Sequence, residues 1–368
     1  CGAEICSVTM MFFLGKQKTK AMKRLIRNTI KSVQVKQQLT LRKWAQVLGV
    51  LRATMFAVLP SLLWSQAIRR FVNTGISTDP ACWSRLMPHP PQEVLDNLKV
   101  WVSPRFDSFN GRAIRPMPVD IHTDSDASGT IGGGMVLKQP VRAEARWHWL
   151  PSEIKNHINW KELVTHLQGL QALDLELPGL LVNAVIRNRT DNSVAMSYVN
   201  RQGGRIPLLS LAAEALWHWL LDRRNILRDD FVPGVKNQLA DDASRWFLDL
   251  QEWMLKPVLF QRLHSHKQWG PYTVDAFASR VNGQVRKFWS RYADPDSDGR
   301  EDALRHSWAR ERLWLCPPHP LIAHVLQKLQ VERCRYATLL APVWPSQPWW
   351  PLVLQLCDRA LVLGRFDK

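Results

Sequence analysis

The sequence predicts an α/β protein, and three observations carry that expectation. Residues Val119–Leu137, VDIHTDSDASGTIGGGMVL, alternate apolar and polar side chains and then break at small residues and glycines, the pattern of a strand entering a hairpin. Downstream, apolar segments of strand length alternate with segments whose leucines recur at helical spacing. Acidic residues stand repeatedly where a strand ends or a helix begins.

In chain order, Val119, Ile121 and Thr123 share one face of the first strand and Asp120, His122 and Asp124 the other. Ser125 to Gly129, Asp126 among them as a strand acid, then reach a turn, and Gly132, Gly133 and Gly134 lead into the returning strand at Met135–Leu137. Arg142–Trp149 continues as strand and Leu150–Ile154 as a turn. Asn159–Leu173, NWKELVTHLQGLQAL, follows as a helix burying Leu163, Leu167, Leu170 and Leu173. Glu162 falls in its first turn, where interaction with the helix dipole alone would account for it. Leu180–Arg187 is the next strand, running into Thr190, Asp191 and Asn192 ahead of a helix through Val194, Met196 and Val199. An N-cap role would by itself explain Asp191. After Gly203 and Gly204 come a long apolar helix, Pro207–Arg224, and a short strand, Ile226–Val232. A last helical stretch opens at Asp241 and Asp242.

The chain has 368 residues and a formal net charge of +17, which makes a polyanion the leading partner class. Residues 1–95 alone carry 14 Lys and Arg against 3 Asp and Glu. There, Met22, Leu25, Ile26, Ile30 and Val33 make an amphipathic helix with a cationic outer face. Thr40 can cap a second helix with apolar positions Leu41, Trp44, Val47 and Leu48. A Pro-rich linker is expected over 96–118. Six Cys without a CxxC pair argue against a zinc site and a secreted disulfide framework, so the expected setting is intracellular, cytoplasm or nucleus. No transmembrane span or signal peptide is read, so no membrane partner is expected. The chain starts with Cys, not Met, and reads as a piece of something longer.

Individually, Asp126, Glu162, Asp191 and Asp241 have ordinary structural explanations. Jointly they supply the equipment for two-metal phosphodiester hydrolysis, in which carboxylates hold two Mg²⁺ roughly 4 Å apart. Clustered carboxylates repel one another without cations, so a purely structural role for all four would be costly.

SDASGTIGGG, the KEL at Lys161–Leu163, TDNSVAMSYVNRQGG and VPGVKNQLADDASR resemble, in order, the four signature blocks of the ribonuclease H domain in retroelement polyproteins, most closely those of DIRS and Ngaro type. The resemblance spans Val119–Arg245. It implies a ribonuclease H-like mixed five-stranded sheet with flanking helices over 119–246. It also implies metal-ligating and catalytic residues Asp126, Glu162, Asp191 and Asp241, two Mg²⁺ or Mn²⁺ ions, and an RNA·DNA hybrid as substrate. Asp126 is preferred to Asp124 because the family writes its acid directly before AlaSer, and Asp241 to Asp242 because it follows Ala240 in an NxxAD pattern. Phe231 stands where related elements often carry His, and DDAS replaces the commoner DALS.

On the flanks, Phe13–Gly15 and the basic helices of 1–95 resemble the end of a reverse transcriptase palm and its thumb or connection. They are expected to grip a nucleic-acid backbone. No Tyr-x-Asp-Asp block occurs, so the fragment carries no polymerase centre. Residues 247–368 form a second small α/β module resembling the Dam-like methyltransferase-related region of DIRS type elements. Its Cys316, Pro317, Pro318 and His319 replace the Asn or Asp, ProPro and aromatic residue of active adenine methylases. That module is expected to be degenerate, with Trp344, Trp349 and Trp350 offering a stacking surface. Two other readings follow: a relic that binds nucleic acid without turnover, and a DNA adenine methyltransferase, which would bind S-adenosylmethionine.

Overall fold

The computed structural model describes residues 3–245, 253–298 and 302–364. Strands β1 (Ala3–Cys6) and β2 (Met11–Leu14) pair antiparallel, and β2 pairs antiparallel with β3 (Arg112–Ala113). Between β2 and β3 run α1 (Lys16–Gln34), α2 (Leu41–Arg52), α3 (Gln66–Gly75), α4 (Gln92–Val102) and α5 (Pro104–Ser108). Helix α1 buries Met22, Ile26 and Val33 and leaves its lysines and arginines outside, as its amphipathic spacing demands. The Thr40 hydroxyl caps α2, accepting from Lys43 N at 3.3 Å, and the buried line is Leu41, Trp44, Val47 and Leu51, with Leu48 only half-buried. The stretch 96–118 holds the end of α4, then α5 and β3, with Trp101 and Phe106 fully buried. Pro104 opens α5, and Pro91, ahead of this stretch, stands at the N-cap of α4.

The central sheet contains β4 (Ile121–Ala127), β5 (Gly132–Gln139), β6 (Ala143–His148), β7 (Val185–Thr190) and β8 (Ile226–Phe231), in the order β6-β5-β4-β7-β8. β5 and β6 are antiparallel and β7 and β8 parallel, so the five-stranded sheet is mixed. Helices α6 (Pro151–Ile154), α7 (Ile158–Glu176), α8 (Ser193–Asn200), α9 (Pro207–Asp222) and α10 (Gln238–Arg245) accompany it. Four details differ from the sequence expectation. β4 begins at Ile121, not Val119, and runs through Ala127 with Asp126 inside the strand, as expected. A short helix, α6, replaces the turn at Leu150–Ile154, its start held by Leu150 N donating to Glu153 Oε2 at 2.8 Å. Helix α7 starts at Ile158. β7 begins at Val185 because Asn183 adopts a left-handed φ of 55°; the apolar Leu181 and Ala184 are buried ahead of the strand.

The glycine run has a steric cause on two faces. A Cβ on Gly133 would lie 2.5 Å from the Trp147 ring and 2.8 Å from Thr165 Oγ1, whereas one on Gly134 would lie 2.5 Å from the carbonyl carbon of Ala243 and 2.6 Å from Ser244 N. Alternate residues of β5 therefore admit Trp147 and α7 on one face and the backbone of α10 on the other.

Backbone contacts group the chain into two units, Cys1–His122 with Asn183–Phe231, and Thr123–Val182 with Val232–Lys368. Within the first, the Gln202 carboxamide receives Leu63 N and donates to Leu59 O, both at 2.9 Å, and Gln66 Nε2 donates to Gln202 O at 2.8 Å. Arg70 pairs with Glu214 on α9, and Arg105 with Asp222 at 2.7 Å. The second unit includes α11 (Pro257–Ser265), β9 (Val274–Asp275), β10 (Leu313–Leu315), α12 (Ile322–Glu332), β11 (Ala337–Leu339) and α13 (Trp350–Leu356). Its sheet, ordered β11-β10-β9, is parallel throughout, and Val274, Trp289, Trp308, Leu313, Leu315 and Val325 form its core. This module meets the edge of β6: Arg146 N donates to Ala293 O at 3.0 Å, and the Arg146 guanidinium lies 4.6 Å from the Tyr292 ring centre. Arg280, almost fully buried, reaches Asp296 at 2.8 Å and Glu153 at 3.4 Å.

Candidate metal centre

β4 carries two neighbouring acids on one face, Asp124 and Asp126, both buried. Asp124 is ion-paired with Lys138 of β5. Asp126 receives the Ser244 hydroxyl on Oδ2 at 2.6 Å. α7 brings the second acid. His157 caps that helix, its Nδ1 accepting from Asn159 N at 3.2 Å, and the helix therefore starts one residue early. Glu162 consequently sits past the first turn, and the dipole explanation for it does not apply. The preceding Lys161 is buried; its ammonium donates to Gly129 O and to Ile154 O, the latter at 2.8 Å, pinning α7 against the turn after β4. Burial pulls the Lys161 pKa down.

The third acid follows β7. Asn192, and not Asp191, caps α8, with its Oδ1 accepting from Ala195 N at 2.9 Å. Asp191 is thus relieved of the structural role that would have explained it. Asp126, Glu162 and Asp191 each offer a carboxylate oxygen, and these oxygens lie within 4.8 Å of one another. Three carboxylate oxygens, two of them from buried side chains, are the hard donors that Mg²⁺ and Mn²⁺ accept, so the residues present fit a divalent cation.

Asp241 lies outside that group. It stands in the first turn of α10, half-buried, and pairs with Arg245 at 2.7 Å. Asp242 is outside the group as well. The chain segment that brings α10 to the sheet is held by Asn237, whose Nδ2 donates to Ser125 O at 3.0 Å. Sequence reasoning passed over Ser244, although its spacing of three from Asp241 places both on one face of α10.

At the end of β10, the expected CysProProHis block is closed by its own neighbours. The Cys316 thiol donates to Trp253 O at 3.1 Å, Trp253 Nε1 donates to Pro317 O at 3.0 Å, and His319 packs between the rings of Trp253 and Trp344 at 5.2 and 4.9 Å. Burial, with Asp275 nearby, pushes the thiol pKa far up and so disfavours the reactive thiolate. Trp344 is exposed, while the paired Trp349 and Trp350 are half-buried. Among the described residues no helix is long and apolar enough to cross a membrane.

A mixed sheet of this strand order, flanked by helices, decides the architecture. The fold is α/β, a mixed five-stranded sheet with flanking helices. No protein-family model matches the chain, and no curated protein matches it. Among solved structures, it is similar to LC11-RNase H1 in complex with an RNA/DNA hybrid, at 20% identity over 33% of this chain and 91% of that one, with a TM-score of 0.27. RNase H1 from the halophilic archaeon Halobacterium salinarum NRC-1 shares 14% identity over 35% of this chain and 97% of its own, with a TM-score of 0.27. The foamy viral protease-reverse transcriptase in complex with an RNA/DNA hybrid shares 14% identity over 70% of this chain, with a TM-score of 0.25; the matched part spans 32% of that protein.

Proposed function

We propose that the chain is the ribonuclease H part of a retroelement polyprotein, of DIRS or Ngaro type, which cleaves the RNA strand of an RNA·DNA hybrid. The observation that carries this reading is the convergence of Asp126, Glu162 and Asp191. When bound, two Mg²⁺ or Mn²⁺ ions would supply the charge needed to activate water and to neutralise the departing 3′ oxygen. Asp126, Glu162 and Asp191 would hold those ions, and Asp241, paired with Arg245 in this structure, is the fourth acid expected to join them. Lys161 keeps the helix of Glu162 seated on the turn after β4. The 2′-hydroxyl distinguishes the RNA strand from DNA.

The basic face of α1 is the proposed grip on the nucleic-acid backbone. Lys16, Lys20, Lys23 and Arg27 line one groove with Thr19, Asp107 and Asn110, and three lysines occupy the start of the helix with no acid among them. Cations at a helix N-terminus run against the dipole, an arrangement that a bound phosphate relieves.

The placement of Asp241 on Arg245 favours one second reading, a chain that binds hybrid without turnover. Incubating labelled RNA·DNA hybrid with the chain and Mg²⁺ or Mn²⁺, with RNA·RNA and DNA·DNA duplexes as controls, separates the two. Loss of the RNA strand from the hybrid alone supports the nuclease; binding with all strands intact supports the second reading.

A further inference from the structure

We infer that Ser244 is a positioning residue for this carboxylate centre, fixing the orientation of Asp126 toward the cation; the inference rests on the ribonuclease reading above. Ser244 is fully buried on α10, and its hydroxyl lies 2.6 Å from Asp126 Oδ2 and 3.0 Å from Asp241 O. One hydroxyl carries one proton, so it cannot donate to both at once. The shorter, charge-assisted bond to the carboxylate takes it, since such bonds outweigh a neutral bond to a carbonyl.

The approach that makes this bond is built into the sheet. Gly134 has no Cβ, and one there would meet the backbone of Ala243 and Ser244 at 2.5–2.6 Å. The glycine lets α10 come down onto the strands until the Ser244 side chain reaches Asp126. Asn237 holds the approach to α10 through Ser125 O, one residue from Asp126 along β4. A carboxylate rotates about two side-chain bonds, and a donor fixed on one oxygen selects the rotamer in which the acid meets its cation. The same hydroxyl ties Asp126 to α10, the helix of Asp241.

The experiment is calorimetric titration of the full chain with Mn²⁺, set beside hybrid cleavage and metal-free melting, for the parent chain, Ser244→Ala, Ser244→Cys and Gln202→Ala. Ser244→Ala is expected to weaken Mn²⁺ binding about 10-fold and to raise the Mn²⁺ concentration needed for cleavage by a similar factor. Ser244→Cys, a weaker donor of similar shape, falls between it and the parent, and serves if the alanine variant does not fold. Gln202→Ala removes buried hydrogen bonds to Leu63 N and Leu59 O that involve neither Ser244 nor Asp126; it lowers the melting temperature and leaves Mn²⁺ affinity at the parent value. Parent-like Mn²⁺ affinity in Ser244→Ala or Ser244→Cys, with hybrid still cut, overturns the role of Ser244 and leaves the ribonuclease reading standing. An equal loss of affinity in Gln202→Ala also overturns it, because the effect then belongs to a general loss of packing. A parent chain that neither binds Mn²⁺ nor cuts hybrid removes the ribonuclease reading, and the inference with it.

Discussion

Acids of one type meet different fates along this chain, and burial with partners separates them. Asp124 and Asp126 share a face of β4, yet Asp124 is matched to Lys138 while Asp126 lies with Glu162 and Asp191. Asp275, at the end of β9, is a third case: it is buried, accepts from Gln284 N at 3.1 Å, and burial pushes its carboxyl up to about 7. Its ordinary value is about 3.9. Between those values the folded chain keeps a proton that the unfolded chain releases, so stability falls as pH rises through that window and is lowest above it. Asp294, pushed up to about 6 by burial, acts in the same direction. Asp275→Asn is therefore expected to raise the melting temperature at pH 8 relative to the parent and to flatten its fall between pH 6 and 8. The shallower slope from Asp294 at lower pH should remain. Melting curves across that range check it, and an unchanged slope would contradict the assignment.

At the scale of elements, the hairpin, the order of strands and helices, and the strand-to-helix place of Asp191 were legible from apolar periodicity, because each element buries one side against the sheet. End points were less so. His157 is an unusual cap, and reading past it moved Glu162 into a first turn it does not occupy. The apolar run Leu180–Arg187 reads as strand, but a left-handed Asn183 delays β7 to a stretch containing Arg187, Asn188 and Arg189. Asn192 was indistinguishable in sequence from Asp191 as a cap. The glycines read as a turn signal; their contacts with Trp147 and α10 depend on non-local approach that periodicity does not encode. Gly134→Ala is expected to cost about 1–3 kcal/mol, since its Cβ would overlap backbone that cannot rotate away. Gly129→Ala, with nothing within 4 Å of its added Cβ, is the control and should melt close to the parent.

For the molecule as a whole, the uneven charge was the plainest signal, and the basic groove on α1 gives it a location. The expected divisions at 95, 118 and 246 remain proposals. Backbone contacts instead gather residues 1–122 with α8, α9 and their strands, through Gln66, Arg70 and Gln202. A single sequence carries no local mark of such pairings, because the partners are joined only by folding. If α1 grips the phosphate backbone, hybrid affinity should fall linearly in log–log plots against salt. Lys16→Gln or Lys20→Gln should each reduce that slope by about one ion, irrespective of nucleic-acid sequence. Fluorescence anisotropy over a salt series reads this directly, and an unchanged slope in both variants would place the contact elsewhere.

Asp126, Glu162 and Asp191 are proposed to form a working metal centre. Its most direct test is single-turnover cleavage of an RNA·DNA hybrid by the full chain and by Asp191→Asn, with Mn²⁺ titrated from zero. Metal-dependent loss of the RNA strand is expected from the parent, with a rate at least about 100-fold lower in the variant, the scale on which removing a group that stabilises transition-state charge is felt. Equal cleavage by both chains, or cleavage that persists in chelator, would contradict it.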